Sequence, residues 1–95
     1  MIVIGHRDLI VVSLVEEAAL AGAVERDLEQ SARWLQAASE GGLYTAMTEY
    51  GYALAYGIGV APNTEEALFW LDRATGFGDA RAGDLLRLVR ANIAP

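Results

Sequence analysis

An internal repeat with a period of 36 residues limits this chain more than any other feature of its sequence. Displaced by that interval, VERDLEQSARWLQAASEGGLYTA (residues 24–46) falls on VAPNTEEALFWLDRATGFGDARA (residues 60–82). Seven of the 23 positions are identical: Val24/Val60, Glu29/Glu65, Trp34/Trp70, Leu35/Leu71, Ala38/Ala74, Gly42/Gly78 and Ala46/Ala82. Alanine-rich stretches match some alanines by chance, but here both tryptophans of the chain coincide, with a glycine at the same distance downstream. A period of this size marks supersecondary units that stack, each covering the hydrophobic face its neighbour leaves open.

Local signals make each copy a pair of helices. Asn63 stands three residues before Glu66, and Asp27 three before Gln30, the spacing of an N-cap with a reciprocal partner. Ala67, Trp70, Leu71 and Ala74 recur at helical intervals and define one apolar face. Gly76 and Gly78 stop that helix as Gly41 and Gly42 stop the earlier one, and Asp79 is placed to cap the next. The pattern predicts five helices, near 8–21, 28–39, 43–56, 64–75 and 80–93, with MIVI at residues 1–4 as the one strand-like stretch. Gly51 falls inside a predicted helix, where glycine costs about 1 kcal/mol relative to alanine, so a neighbouring helix is expected to approach it closely. The helix carrying Trp34 is the expected neighbour. Trp34 and Trp70 are expected to be equivalent wedges between helix pairs. The adaptor interpretation hangs on these two tryptophan-bearing helices nesting alike against their predecessors, and unlike surroundings for the two indoles would overturn it.

These residues resemble a known family. YGYALAYGIGV (residues 50–60) followed by EEALFWLDRATGFGDARA (residues 65–82) is similar to the SEL-one-like repeat, a relative of the tetratricopeptide repeat. Gly51 matches the first glycine of the family pattern, with Tyr50 in place of its leucine and Leu54 in place of its aromatic. Gly57, Gly59 and Val60 match the glycine-x-glycine-valine turn. Ala67, Trp70, Ala74, Gly78 and Ala82 match the second helix, and Thr75 replaces one alanine. The preceding copy is degraded: Leu14, Val15 and Ala18 stand where Tyr50, Gly51 and Leu54 stand later, and Ala21-Gly22-Ala23 replaces the glycine turn. The resemblance implies an all-α, right-handed solenoid that serves as a non-catalytic adaptor for other proteins. Past Ala82, Arg87 and Arg90 occupy the places of Gly51 and Leu54, which keeps a further helix away and makes the last helix a cap.

Composition narrows the choice of partner. All seven basic residues are arginine and face 13 acids, so a net charge of −6 argues against nucleic acid or anionic lipid, which require a basic footprint. The lack of lysine beside abundant alanine and arginine hints at a GC-rich bacterial genome. Cysteine is absent, leaving neither disulfides nor thiolate metal sites. A hydrophobic fraction of 54% in 95 residues points to an apolar face covered by another surface, or simply to alanine-rich helices. LIVVSLV (residues 9–15) is too short for a membrane span and too closely followed by Glu16-Glu17 for an export signal, which makes the cytoplasm the expected location.

Few residues suggest chemistry. Gly57-Ile58-Gly59 follows a predicted helix, is interrupted by Pro62 and has no lysine to serve it, so it is a helix–helix corner and not a phosphate cradle. Glu16-Glu17 and Glu65-Glu66 are adjacent acids that diverge on a helix. His6 has only Asp8 near it in sequence, and Ser13, Ser31 and Ser39 lack a nucleophile's setting. The open set lies on the helix near 43–56. With Ala46, Tyr50 and Leu54 inward, Thr45, Thr48, Glu49, Tyr52, Ala55 and Tyr56 turn the other way. Tyr52 and Tyr56 either present two amphipathic rings to a partner or pack partly into a neighbouring helix. Ile2, Val3 and Ile4 either fold back on the first helices or dock on a partner.

The sequence is thus expected to form one domain, with an apolar arm at 1–7, a degenerate repeat at 8–43, a well-formed repeat at 44–79 and a capping helix at 80–95. Trp34, Trp70, Gly42, Gly51, Gly57, Gly59 and Gly78 are its expected structural residues. Thr45, Thr48, Glu49, Tyr52, Tyr56, Ile2 and Ile4 are its candidate contacts to a partner. No catalytic residue, metal or cofactor is expected. The expected partner is one larger protein or complex, or a second copy of the chain. The expected role is an adaptor or accessory subunit, with an inhibitor masking a basic active site as the alternative and a small enzyme or ligand binder as the least favoured.

Overall fold

The computed structural model describes residues 26–92, which contain four helices and, among those residues, no strand. Helix α1 covers residues 26–40, α2 Tyr44–Tyr56, α3 Thr64–Gly76 and α4 Ala80–Arg90. Helix α2 packs along α3, and α3 along α4. The expected helix at 8–21, the arm at 1–7, and with them His6, Ile2 and Ile4, lie outside the described residues.

The repeat is visible in backbone geometry. Gly42 and Gly78 both adopt φ 97°, in the left-handed region that glycine occupies without strain. After α1, the Gly42 amide donates to the Ser39 carbonyl at 3.0 Å and the Leu43 amide to Ala38 at 3.0 Å. After α3, Gly78 donates to Thr75 at 2.9 Å and Asp79 to Ala74 at 3.2 Å. Every donor and acceptor of the second turn lies 36 residues beyond its counterpart. The last free carbonyls of both helices are therefore satisfied in one way.

The turn between α2 and α3 has different needs. Gly57 closes α2 in the left-handed conformation, φ 68° and ψ 44°, its amide donating to Ala53. Gly59 is left-handed as well, at φ 72°. Asn63 then caps α3, accepting from the Glu66 amide at 3.1 Å. The Glu66 carboxylate makes no reciprocal bond to the cap; it accepts from Trp70 Nε1 at 3.5 Å.

The core is built from Met47, Tyr50 and Leu54 of α2, Ala67, Trp70, Leu71 and Ala74 of α3, and Ala82 and Leu86 of α4. Each buried Met or Leu contributes about 1.5–3 kcal/mol of apolar transfer. The alanines of α3 and Gly51 of α2 let these helices meet closely. A Cβ built on Gly51 falls 2.7 Å from Leu71 Cγ and 3.3 Å from the Ala67 carbonyl oxygen.

The structure differs from expectation in other respects as well. The neighbour that Gly51 accommodates is α3, through Leu71 and Ala67, and not the helix carrying Trp34. The two indoles have unlike surroundings: Trp70 is 9% exposed and Trp34 69%. Trp70 packs on Tyr50 with ring centroids 6.1 Å apart, whereas the counterpart of Tyr50 beside Trp34 is Leu14, outside the described residues. Asp27 lies within α1 and so does not cap its start. Helix α4 ends at Arg90, followed by Asn92 at φ 57°, short of the predicted position 93.

The two glycines of the α2–α3 turn should respond differently to alanine. At Gly57 the new methyl would meet only the Pro62 ring, at 3.2 Å, so the cost should stay near the left-handed penalty of about 1–2 kcal/mol. At Gly59 it would fall 2.1 Å from the Leu28 carbonyl oxygen, forcing the turn off α1. Urea unfolding should show Gly59→Ala to be clearly the more destabilising; equal losses would contradict this contact.

Candidate functional site

A groove with a cavity volume of about 340 Å³ opens where α1, α2 and α4 converge. Its floor is apolar, formed by Ala32 and Leu35 of α1, Ala53 of α2, Ile58 of the following turn and Leu85 of α4. Leu28, Ser31, Thr48, Glu49, Tyr52 and Arg81 complete the lining. Helical spacing puts Glu49 and Tyr52 on this side because Met47, Tyr50 and Leu54 take the opposite side of α2 into the core. Leu28 and Ile58 also line a second hollow of about 410 Å³ that continues past Glu29 over the Gly57–Val60 turn.

Charge is concentrated near the α4 end of the groove. Arg81 Nη2 lies 3.5 Å from Glu49 Oε1, and both side chains are more than half exposed. Such a pair is worth about 0.2–1 kcal/mol and can be exchanged for another partner at little cost. Asp79 stands beside it. Its Oδ2 accepts from the Thr48 hydroxyl at 2.6 Å, and its Oδ1 from the Arg81 amide at 3.0 Å. The Thr48 hydrogen bond, helped by the amides of Arg81 and Ala82 and the Arg81 charge, holds the Asp79 carboxyl below its ordinary range against a weaker opposing effect of burial. On the opposite side of α2, burial first and the Glu66 and Glu40 charges second push the Tyr50 phenol above its ordinary value, keeping it protonated.

These positions sort the sequence candidates. Thr48, Glu49 and Tyr52 line the groove. Tyr52 stacks on Tyr56, with centroids 5.1 Å apart and planes tilted by 55°, both rings half-buried. Thr45 is exposed on the same helix, outside the groove lining. Thr48, also part of the lining, is 0% exposed and its hydroxyl donates to Asp79, tying α2 to the start of α4. The counterpart of Asp79 one repeat earlier is Leu43, which precedes α2 and gives it no side-chain cap. Sequence reasoning missed Leu28, Ile58, Arg81 and Leu85. Three are apolar residues that look like core, and the nearness of Arg81 to Glu49 depends on a separation of 32 residues that no local pattern encodes.

Other exposed apolar side chains lie elsewhere. Tyr44 and Phe77 stack at 6.1 Å across the two glycine turns, next to exposed Leu43. On α3, the Arg73 guanidinium lies 5.6 Å from the centroid of exposed Phe69. Among the described residues, no three His, Cys, Asp or Glu side chains gather to hold a metal ion, and no helix is long and apolar enough to cross a membrane.

Helix pairs stacked through recurring glycine turns define a helical-repeat solenoid. The Sel1 repeat model matches residues 17–43 and 45–75, more than half of the chain, and the chain belongs to that family. The second match runs through α2, the glycine turn and most of α3; the first takes in α1. Repeats of this family generally mediate contacts between proteins. No curated protein and no solved structure matches the chain.

The Thr48–Asp79 bond makes a pH-dependent contribution to stability. The folded pKa of Asp79 is depressed, so this contribution is complete above the unfolded carboxylate value of about 3.9 and is lost as pH falls through the folded value. In Thr48→Val the Asp79 titration followed by NMR should move up, and stability at neutral pH should drop. An unmoved titration would show that the hydroxyl does not hold this carboxylate.

Proposed function

We propose that the chain is a small, non-catalytic protein-binding module, an adaptor or accessory subunit of a larger protein or complex, with the groove along α2 as its recognition surface. The groove itself carries this proposal: an apolar floor large enough for side chains of another polypeptide, edged by an exposed, exchangeable ion pair and an aromatic ring. Tyrosine and arginine at the edge of an apolar depression suit protein recognition, since both offer large contact area together with hydrogen bonds. The excess of acids, 13 against seven arginines, supports as second reading an inhibitor that covers a basic site.

Affinity purification from native extract, followed by mass spectrometry, tests this assignment. One stoichiometric partner is expected. It should be lost with Tyr52→Ala and kept with Phe69→Ala, an exposed change on α3 away from the groove. A partner whose own activity persists in the complex is the adaptor case, and one silenced by binding is the inhibitor case. Recovery of no partner, or equal loss with both variants, contradicts the groove as the recognition surface.

A further inference from the structure

The charges around the groove specify what enters it. Glu49 and Arg81 oppose one another at 3.5 Å, so the pair alone gives no preference. Arg81, however, also stands next to Asp79, whose carboxylate it helps to keep ionised. Glu29, exposed on α1, lies outside this groove: it borders a neighbouring hollow that shares Leu28 and Ile58, and another that it lines with Arg33. Two carboxylates, Glu49 and Asp79, therefore stand beside the one guanidinium at the edge of the apolar groove. A cation entering the groove gains Glu49, whereas an anion competes with Glu49 and Asp79 for Arg81. The chain as a whole, at −6, adds to the same bias at long range.

We infer that the groove receives a segment of a partner protein that carries a bulky apolar side chain next to a lysine or arginine, the apolar group seating over Ala32, Ala53 and Leu85 and the cation displacing Arg81 from Glu49. This rests on the protein-binding role proposed above and adds the chemistry of the ligand. Glu49 and Arg81 then act in opposite directions. Glu49 attracts the incoming cation, and Arg81 is the internal competitor for the same carboxylate. Because both side chains are more than half exposed, neutralising either one breaks the same weak bond at small cost to the fold, although Arg81 also gives up its charge interaction with Asp79.

That opposition provides the test. A random peptide library displayed on phage is selected on the intact chain, and the recovered sequences are synthesised with a fluorescent label for polarisation measurements. Peptides pairing a large apolar residue with lysine or arginine are expected. Glu49→Gln should weaken their binding by about two- to fivefold, the range of a partly exposed ion pair, while Arg81→Gln should tighten it by a similar factor. Leu28→Gln, at an exposed position of the lining, should weaken every selected peptide. A selection yielding no binders or acidic ones overturns the inference. So do two charge variants shifting affinity in the same direction, or peptides indifferent to Leu28→Gln. A native partner that is lost with Tyr52→Ala yet binds equally to both charge variants would leave the protein-binding role standing and remove the basic ligand alone.

Discussion

The contact between the backbone of Gly51 and the side chain of Leu71 sets the distance between α2 and α3, and the rest of the described structure follows from that distance. With no side chain at position 51, Leu71 lies completely buried against α2, and the small Ala67 and Ala74 beside it bring the backbones together. Trp70 is thereby carried onto Tyr50, and Met47 and Leu54 are enclosed. With α3 fixed, the glycine turn at Gly78 delivers Asp79 to Thr48, and α4 starts at the place where Arg81 can reach Glu49. The groove is in this sense a consequence of helix spacing: α3 packs against both α2 and α4, which supply two of its walls.

What the sequence announces and what it conceals divide along the range of the interactions. Caps and turns are local. Asn63 before Glu66 and the left-handed glycines at 42, 57, 59 and 78 act through backbone within a few residues, and their types alone declare them. Helices α2 and α3 accordingly begin and end within a residue or so of the predicted limits. Burial is not local. Trp34 and Trp70 are chemically identical and in register, yet only Trp70 has Tyr50 to cover it among the described residues. Thr48 was expected on the open side of α2, and helical spacing does put it there; α4 then arrives over it with a carboxylate that the linear pattern did not reveal. Leu28 and Leu85 line the groove, but an apolar residue at helical spacing reads the same whether it faces a core or an open depression.

The unlike environments of the indoles remove the ground on which the sequence reading rested the adaptor interpretation. Two independent supports for a repeat-based interaction module remain: hydrogen-bonded turns that match donor for donor at an interval of 36 residues, and the match to the Sel1 repeat over both copies. The copies agree in backbone and diverge in chemistry, with Leu43 before α2 where Asp79 stands before α4. Such divergence suits a scaffold in which turn geometry maintains the stack while individual side chains are free to specialise for binding.

Whether Gly51 governs the helix spacing is decided most directly by the sign of one stability change. Within a helix free of close neighbours, replacing glycine by alanine raises stability by about 1 kcal/mol. Here the added methyl would sit 2.7 Å from Leu71 Cγ, inside a core where overpacking costs about 1–3 kcal/mol. Urea unfolding of Gly51→Ala should therefore give a lower stability than the parent chain, and a variant more stable by about 1 kcal/mol, as an open helix would show, would contradict the account.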